Sequence, residues 1–188
     1  MNILVCTAGG HVIVRPDITR KKDDEDVFLP EFVDRVSWSP ILFARVSKPG
    51  RSVSARFAGR YYDGIGYGVL LYPEDLADGS EEGYAAASCM DHTSSLPLPL
   101  YNRITLGEAD NEFVLLRDGN ELFRYSAGTA TIVEKAVEDI TRNCYIRVGD
   151  FIAVELQPRQ PLLTRNDGEC RLEGTYCGNF LLDFRVIL

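Results

Sequence analysis

The chain has 188 residues, 45% hydrophobic and 26% charged, which suits one globular domain with a sizeable core. Its formal net charge is −8, and its few lysines (Lys21, Lys22, Lys48, Lys135) do not cluster with the scattered arginines. That balance excludes a nucleic-acid or anionic-membrane partner, since both require concentrated positive charge.

From the N-terminus, Asn2–Cys6 is an apolar run closed by Thr7-Ala8-Gly9-Gly10, a strand and a turn. His11–Val14 reads as a short strand ending at Pro16. Lys21-Lys22-Asp23-Asp24-Glu25-Asp26 has no hydrophobic period and reads as an exposed loop. Val27–Pro30 is a short apolar piece. Trp38–Val46 alternates as a strand, and Pro40, which cannot donate a ladder hydrogen bond, places the strand's start or an edge there. Val53, Phe57 and Tyr61 recur every four residues, predicting a helix over about 52–62 with Ser52 as its cap. Gly64, Gly66 and Gly68 then alternate with Ile65 and Tyr67. Without a following Lys-Ser/Thr this is no phosphate loop; it reads as a strand on which something approaches closely.

Asp78–Tyr84 reads as a loop, and Leu96-Pro97-Leu98-Pro99-Leu100 as extended chain. Phe113–Arg117, Asp118-Gly119 and Asn120–Arg124 form a hairpin signature. Thr131 and Glu134 have capping-box spacing, and apolar Ile132, Val133, Ala136, Val137 and Ile140 predict an amphipathic helix over about 131–143. Phe151–Leu156, Cys170–Thr175 and Asn179–Leu188 read as strands between glycine turns. The class is α+β, one domain over 1–188 with no linker or repeat.

Few residues offer chemistry. The five cysteines (6, 89, 144, 170 and 177) include no CxxC pair and read as buried free thiols in a reducing compartment. His11 and His92 lack zinc-ligand spacing from any cysteine. Asp91 and His92 precede three hydroxyl residues, but adjacent side chains diverge and rarely form a relay. No apolar run reaches the ~18 residues of a membrane span, and Met1-Asn2-Ile3-Leu4-Val5 has no basic leader, so a cytoplasmic location is expected.

Several segments in collinear order resemble the fumarylacetoacetate hydrolase family, particularly its short bacterial members. Arg56-Phe57-Ala58-Gly59-Arg60-Tyr61-Tyr62-Asp63 is similar to its R-F-A-H-R-Y-Y-D helix. Gly68-Val69-Leu70-Leu71 takes the place of G-I-D-F, and Pro73-Glu74-Asp75-Leu76 that of A-R-D-L. Val14–Asp17, Phe28–Phe32, Arg147–Asp150, Leu172–Gly174 and Gly178–Phe184 resemble its K-P-D, F-L-P-D-F, K-T-G-D and closing-strand segments. The resemblance implies a β-rich roll of mixed sheets, usually dimeric. It also implies cleavage, decarboxylation or isomerisation of dicarbonyl acids with Mg²⁺ or a similar ion, held by carboxylates.

At the implied ligand positions this chain has Ser39, Ile41 and Leu70, and no Asp or Glu occurs between Asp34 and Asp63. The implied active-site lysine falls on Ser88, the T-G-T-P loop is replaced around Val154-Glu155-Leu156-Gln157, and the N-terminal active-site segment is shortened between Thr7 and Val12. Two readings follow. The first is a catalytically inactive homologue with no metal cofactor, acting as a binding or interaction protein, as a homodimer or a heterodimer with an active paralogue. The second is an enzyme with relocated or metal-free chemistry, for which Asp91, His92, Asp63, Glu74 and Asp75 are the titratable groups and Arg60 a carboxylate clamp.

Overall fold

The computed structural model describes residues 1–22, 25–77, 79–108, 110–126 and 129–188. Two mixed sheets build it. The seven-stranded sheet runs β2 (Val12–Pro16), β1 (Asn2–Cys6), β9 (Phe151–Glu155), β4 (Arg35–Val46), β5 (Tyr62–Pro73) and β6 (Ser94–Ser95), with β10 (Gln160–Thr164) pairing β4 beyond the end of β9. The five-stranded sheet runs β3 (Val27–Phe28), β12 (Asn179–Ile187), β11 (Glu169–Tyr176), β7 (Phe113–Arg117) and β8 (Asn120–Tyr125). The β1–β9 and β3–β12 pairs are parallel and the others antiparallel.

β4 and β5, twelve residues each, are buried on both faces, which is why they read as nearly continuous apolar runs. Trp38, Leu42 and Ala44 of β4, with Tyr67, Val69 and Leu71 of β5, point toward the five-stranded sheet. There Tyr67 stacks on Phe113 at 4.9 Å between ring centroids. The same large core takes one face of α3 (Ala130–Asn143) through Val133, Ala136, Val137 and Ile140. The alternate residues, Ile41 and Phe43 of β4 and Leu70 and Tyr72 of β5, form a smaller core with Ile3, Val5, Leu96, Phe151 and Ala153 on the opposite face.

Several local expectations need correction. Pro40 neither starts β4 nor lies on an edge. It sits where β4's neighbour changes from β10 to β9, so its missing N–H falls at a break in the ladder, while its carbonyl accepts from Leu156 N–H at 2.9 Å. The helix expected over 52–62 shrinks to one turn, α1 (Ala55–Ala58), because Ser52 takes a φ of 53° and Tyr62 already pairs in β5. Residues 79–84 are no simple loop: α2 (Glu81–Ala87) starts there, capped by Ser80 Oγ accepting from Gly83 N–H. The α3 cap residue is Thr129, not Thr131. Lys21 is not in an exposed loop: it is 3% exposed, with Nζ 4.5 Å from the Phe184 ring centroid; Asp23 and Asp24 lie outside the described residues. Of the cysteines only Cys170 is buried, and Cys89 is exposed.

The Asp118-Gly119 turn does join β7 to β8, with φ of 50° and 78°. The glycines of β5 mark close approaches: a Cβ at Gly66 would lie 2.5 Å from the Phe43 ring, and one at Gly68 2.1 Å from the Ser95 carbonyl oxygen. No helix among the described residues is long and apolar enough to cross a membrane.

Candidate functional site

Ser39 and Ile41 on β4 share a face with Leu70 on β5. Ser39 pairs directly with Leu70 and Ile41 with Gly68. All three are fully buried. Ser39 Oγ donates to the Gln157 carbonyl at 2.8 Å, and the Ile41 and Leu70 side chains belong to the smaller core. A divalent ion of the Mg²⁺ type needs several hard oxygen donors. Two hydrocarbon side chains and one committed hydroxyl do not fit that requirement. Among the described residues no group of three His, Cys, Asp or Glu side chains converges elsewhere. Ser88 closes α2, with Oγ donating to the Tyr84 carbonyl at 2.8 Å.

Beside this packed region lies an open cleft of about 770 Å³, bounded by the Thr7–His11 turn, β2, α2 and the segment that links β9 to β10. Its polar centre is Glu155, the last residue of β9, which pairs directly with Ile41 and therefore projects from the same face. Glu155 is 7% exposed. Its Oε1 accepts from the Tyr72 hydroxyl at 2.6 Å and its Oε2 from the Ala8 N–H at 3.0 Å.

Tyr72 stacks on Tyr84 at 5.8 Å, and the Arg159 guanidinium lies over both rings, 5.2 and 4.8 Å from their centroids. Burial holds the Tyr72 hydroxyl far above its ordinary pKa, so it stays a proton donor toward Glu155; Arg15 opposes that shift and Glu155 reinforces it. Burial also raises Tyr84. Arg159 Nη1 sits 3.5 Å from Glu74 Oε1, an ion-pair separation without hydrogen-bond geometry. Glu74 itself accepts from the Ser37 hydroxyl.

Arg15 lies behind the cleft, wholly buried, its Cζ 4.8 Å from the Tyr72 ring centroid. Nε donates to the Ser88 carbonyl at 3.0 Å, Nη1 to the Thr93 carbonyl at 3.2 Å, and Nη2 to the Leu71 carbonyl at 2.8 Å and Thr93 Oγ1 at 3.2 Å. Burial lowers its pKa, opposed by Tyr72, Tyr84 and Glu155. This one side chain ties β2, β5 and the end of α2 into a single wall.

The groups singled out from sequence stand apart from the cleft. Asp63 forms a two-pronged pair with Arg45 at 3.0 and 2.9 Å. Arg60 lies over Phe57 at 5.5 Å. Asp91 and His92 are exposed, and His92 holds a φ of 60°. None of these four lines the cleft. Asp75 accepts from the Asp34 and Arg35 N–H groups at 2.7 and 2.9 Å, a structural role; Glu74 reaches the site only through Arg159. Glu155, Arg159, Tyr72, Tyr84 and Arg15 were not singled out. The signals for Glu155 are a lone acid closing the apolar run Phe151–Val154 and its place in the segment that the family resemblance aligns with the T-G-T-P loop.

No family model and no curated protein matches the chain. Solved structures do. A fumarylacetoacetate hydrolase family protein from Yersinia pestis CO92 is 15% identical with a TM-score of 0.81, over 99% of this chain and 92% of that one. Fumarylpyruvate hydrolase from Pseudomonas aeruginosa, in complex with Mn²⁺ and pyruvate, is 17% identical with a TM-score of 0.79, over 100% and 90%. The 5-carboxymethyl-2-hydroxymuconate delta-isomerase of Mycobacterium smegmatis is 17% identical with a TM-score of 0.76, over 99% and 78%. At such identities the likeness is one of fold, and it spans the chain from end to end: this protein has the fold of the fumarylacetoacetate hydrolase family.

Proposed function

We propose that this chain is a divergent, single-domain member of the fumarylacetoacetate hydrolase family that binds a small oxo acid in the cleft and moves a proton on it without a divalent ion. The observation that carries this reading is Glu155, a carboxylate directly across the ladder from Ile41 and held by Tyr72 and Ala8. Arg159, over the rings of Tyr72 and Tyr84, binds the substrate carboxylate through guanidinium nitrogens other than the buried Nη1 beside Glu74. Glu155 then removes a proton from the carbon beside the substrate's carbonyl, whose oxygen takes up the electron pair, and returns the proton to that oxygen, giving the enol. This is an isomerisation in which no bond to water forms. Structural relatives that act on fumarylpyruvate and on a hydroxymuconate support the choice of an oxo-acid substrate.

The reading is tested by incubating the purified protein with 2-oxobutyrate in D₂O and following loss of the C3 proton signal by NMR. Wild type accelerates exchange over buffer, and Glu155→Gln loses about 10²–10⁴ of that acceleration. Exchange unaffected by E155Q overturns the assignment. The apolar packing of Ile41 and Leu70 favours a second reading, ligand binding without turnover, as a homodimer or beside an active paralogue. Saturable binding of the same acid with no exchange selects it.

A further inference from the structure

Resting on the oxo-acid reading, we propose that the cleft selects a monocarboxylate with an apolar tail of several carbons, and discriminates against a short dicarboxylate. Three observations carry this. First, the cleft is far larger than a four-carbon acid needs. Its volume of about 770 Å³ lies within the range, about 300–1,000 Å³, of sites that enclose a drug-sized molecule. Second, the charges on its described lining are one guanidinium, Arg159, against two carboxylates, Glu81 and Glu155. One anionic head is matched by Arg159, which it shares with Glu74, 3.5 Å from Nη1. A second carboxylate would enter a space where the remaining fixed charges are negative, because the other cation, Arg15, is wholly buried and committed to backbone carbonyls. Third, Ile13 and Val14 on one side and Ala85 on the other, with Pro158 beside Arg159, give the lining an apolar share alongside the polar Thr7, His11, Ser80 and Cys89. A tail lying along that apolar share leaves water, and each methylene so buried strengthens binding by roughly three- to fourfold.

Specificity then follows from geometry. The head is fixed at Arg159, the carbon to be deprotonated lies toward Glu155, and the tail runs out between β2 and α2. Glu81, in the first turn of α2 and exposed, is the residue that rejects a second negative charge.

The test is isothermal titration of the full chain with 2-oxobutyrate, 2-oxohexanoate, 2-oxooctanoate and 2-oxoglutarate. Affinity is expected to rise along the monoacid series by at least tenfold from four to eight carbons, with 2-oxoglutarate weaker than 2-oxohexanoate. Glu81→Lys, a change at an exposed position, narrows the gap between 2-oxohexanoate and 2-oxoglutarate by at least threefold. Binding of 2-oxoglutarate as tight as that of 2-oxohexanoate, or affinity independent of tail length, overturns the proposal while leaving the oxo-acid reading standing. Failure of all four acids to bind overturns both.

Discussion

Ile41 and Glu155 face each other across the β4–β9 ladder, one a hydrocarbon in the smaller core and the other a carboxylate on the floor of the cleft. The carboxylate of this face therefore lies one strand over from Ser39 and Ile41 and two from Leu70, the positions where the family resemblance implies metal ligands. Apolar Ile41 and Leu70 supply packing, and Glu155 accepts from Tyr72 beside Arg159.

Leu70 tests the packed half of that arrangement. It is fully buried in the smaller core. Leu70→Ala is expected to cost about 2–5 kcal/mol, the range for truncating a buried leucine. Leu70→Asp costs more, since a buried carboxylate without a partner adds desolvation to the lost packing. Urea unfolding reads both, and a Leu70→Asp variant as stable as wild type would mean the position is not closed.

Gly68 marks a backbone contact. A Cβ there would lie 2.1 Å from the Ser95 carbonyl oxygen, whereas one at Gly107 meets nothing within 4 Å. Gly68→Ala is expected to destabilise by about 3 kcal/mol through overpacking against β6. Gly107→Ala serves as the near-neutral control. Equal melting temperatures for the two variants would contradict the close approach.

Arg15 is a structural cation. Arg15→Met leaves the carbonyls of Leu71, Ser88 and Thr93 without this donor, and a loss of about 3–5 kcal/mol is expected, as for removing one member of a buried charged network. Arg15→Lys recovers only part of it, because an ammonium cannot span the same fork of acceptors. Full stability of the methionine variant in chemical denaturation would refute this role.

The outer face of the five-stranded sheet sets an acid limit. Hydrogen bonds from the Arg185 N–H and guanidinium hold Asp26 below its ordinary pKa, and the Arg171 guanidinium does the same for Asp183. Their folded pKa values are depressed, so their contribution is present above about pH 4 and is lost as pH falls through the folded values. Asp26→Asn should flatten the acid limb of a stability–pH curve. The effect should shrink in high salt, since these pairs are exposed. An unchanged acid limb would count against it.

Much of the framework was legible because it rests on local rules. The Asp118-Gly119 hairpin, the stripe of α3 and the closing strands around Cys177-Gly178 each carry a turn residue or a clear period. The resemblance to the fumarylacetoacetate hydrolase family pointed to Ser39, Ile41 and Leu70, and the three do share one face. The cleft was not legible. Glu155 acquires its meaning only from pairing with Ile41, 114 residues away in sequence, and Arg15 only from carbonyls 56 to 78 residues distant. Helix α2 was hidden by Gly83 and by the polar residues of its first turn, although Ser80 is a sound cap. The proposed helix over 52–62 failed for the opposite reason. A four-residue spacing was present, yet pairing of β5 with β4 claimed Tyr62 first.

The most direct measurement compares α-proton exchange of 2-oxobutyrate by the EDTA-treated protein with exchange after adding Mn²⁺, for wild type and Glu155→Gln. Wild type is expected to exchange at the same rate within about twofold in both conditions, and Glu155→Gln to lose about 10²–10⁴ of the acceleration in both. Exchange that appears only after Mn²⁺ is added, and that survives Glu155→Gln, would contradict metal-free proton transfer by Glu155.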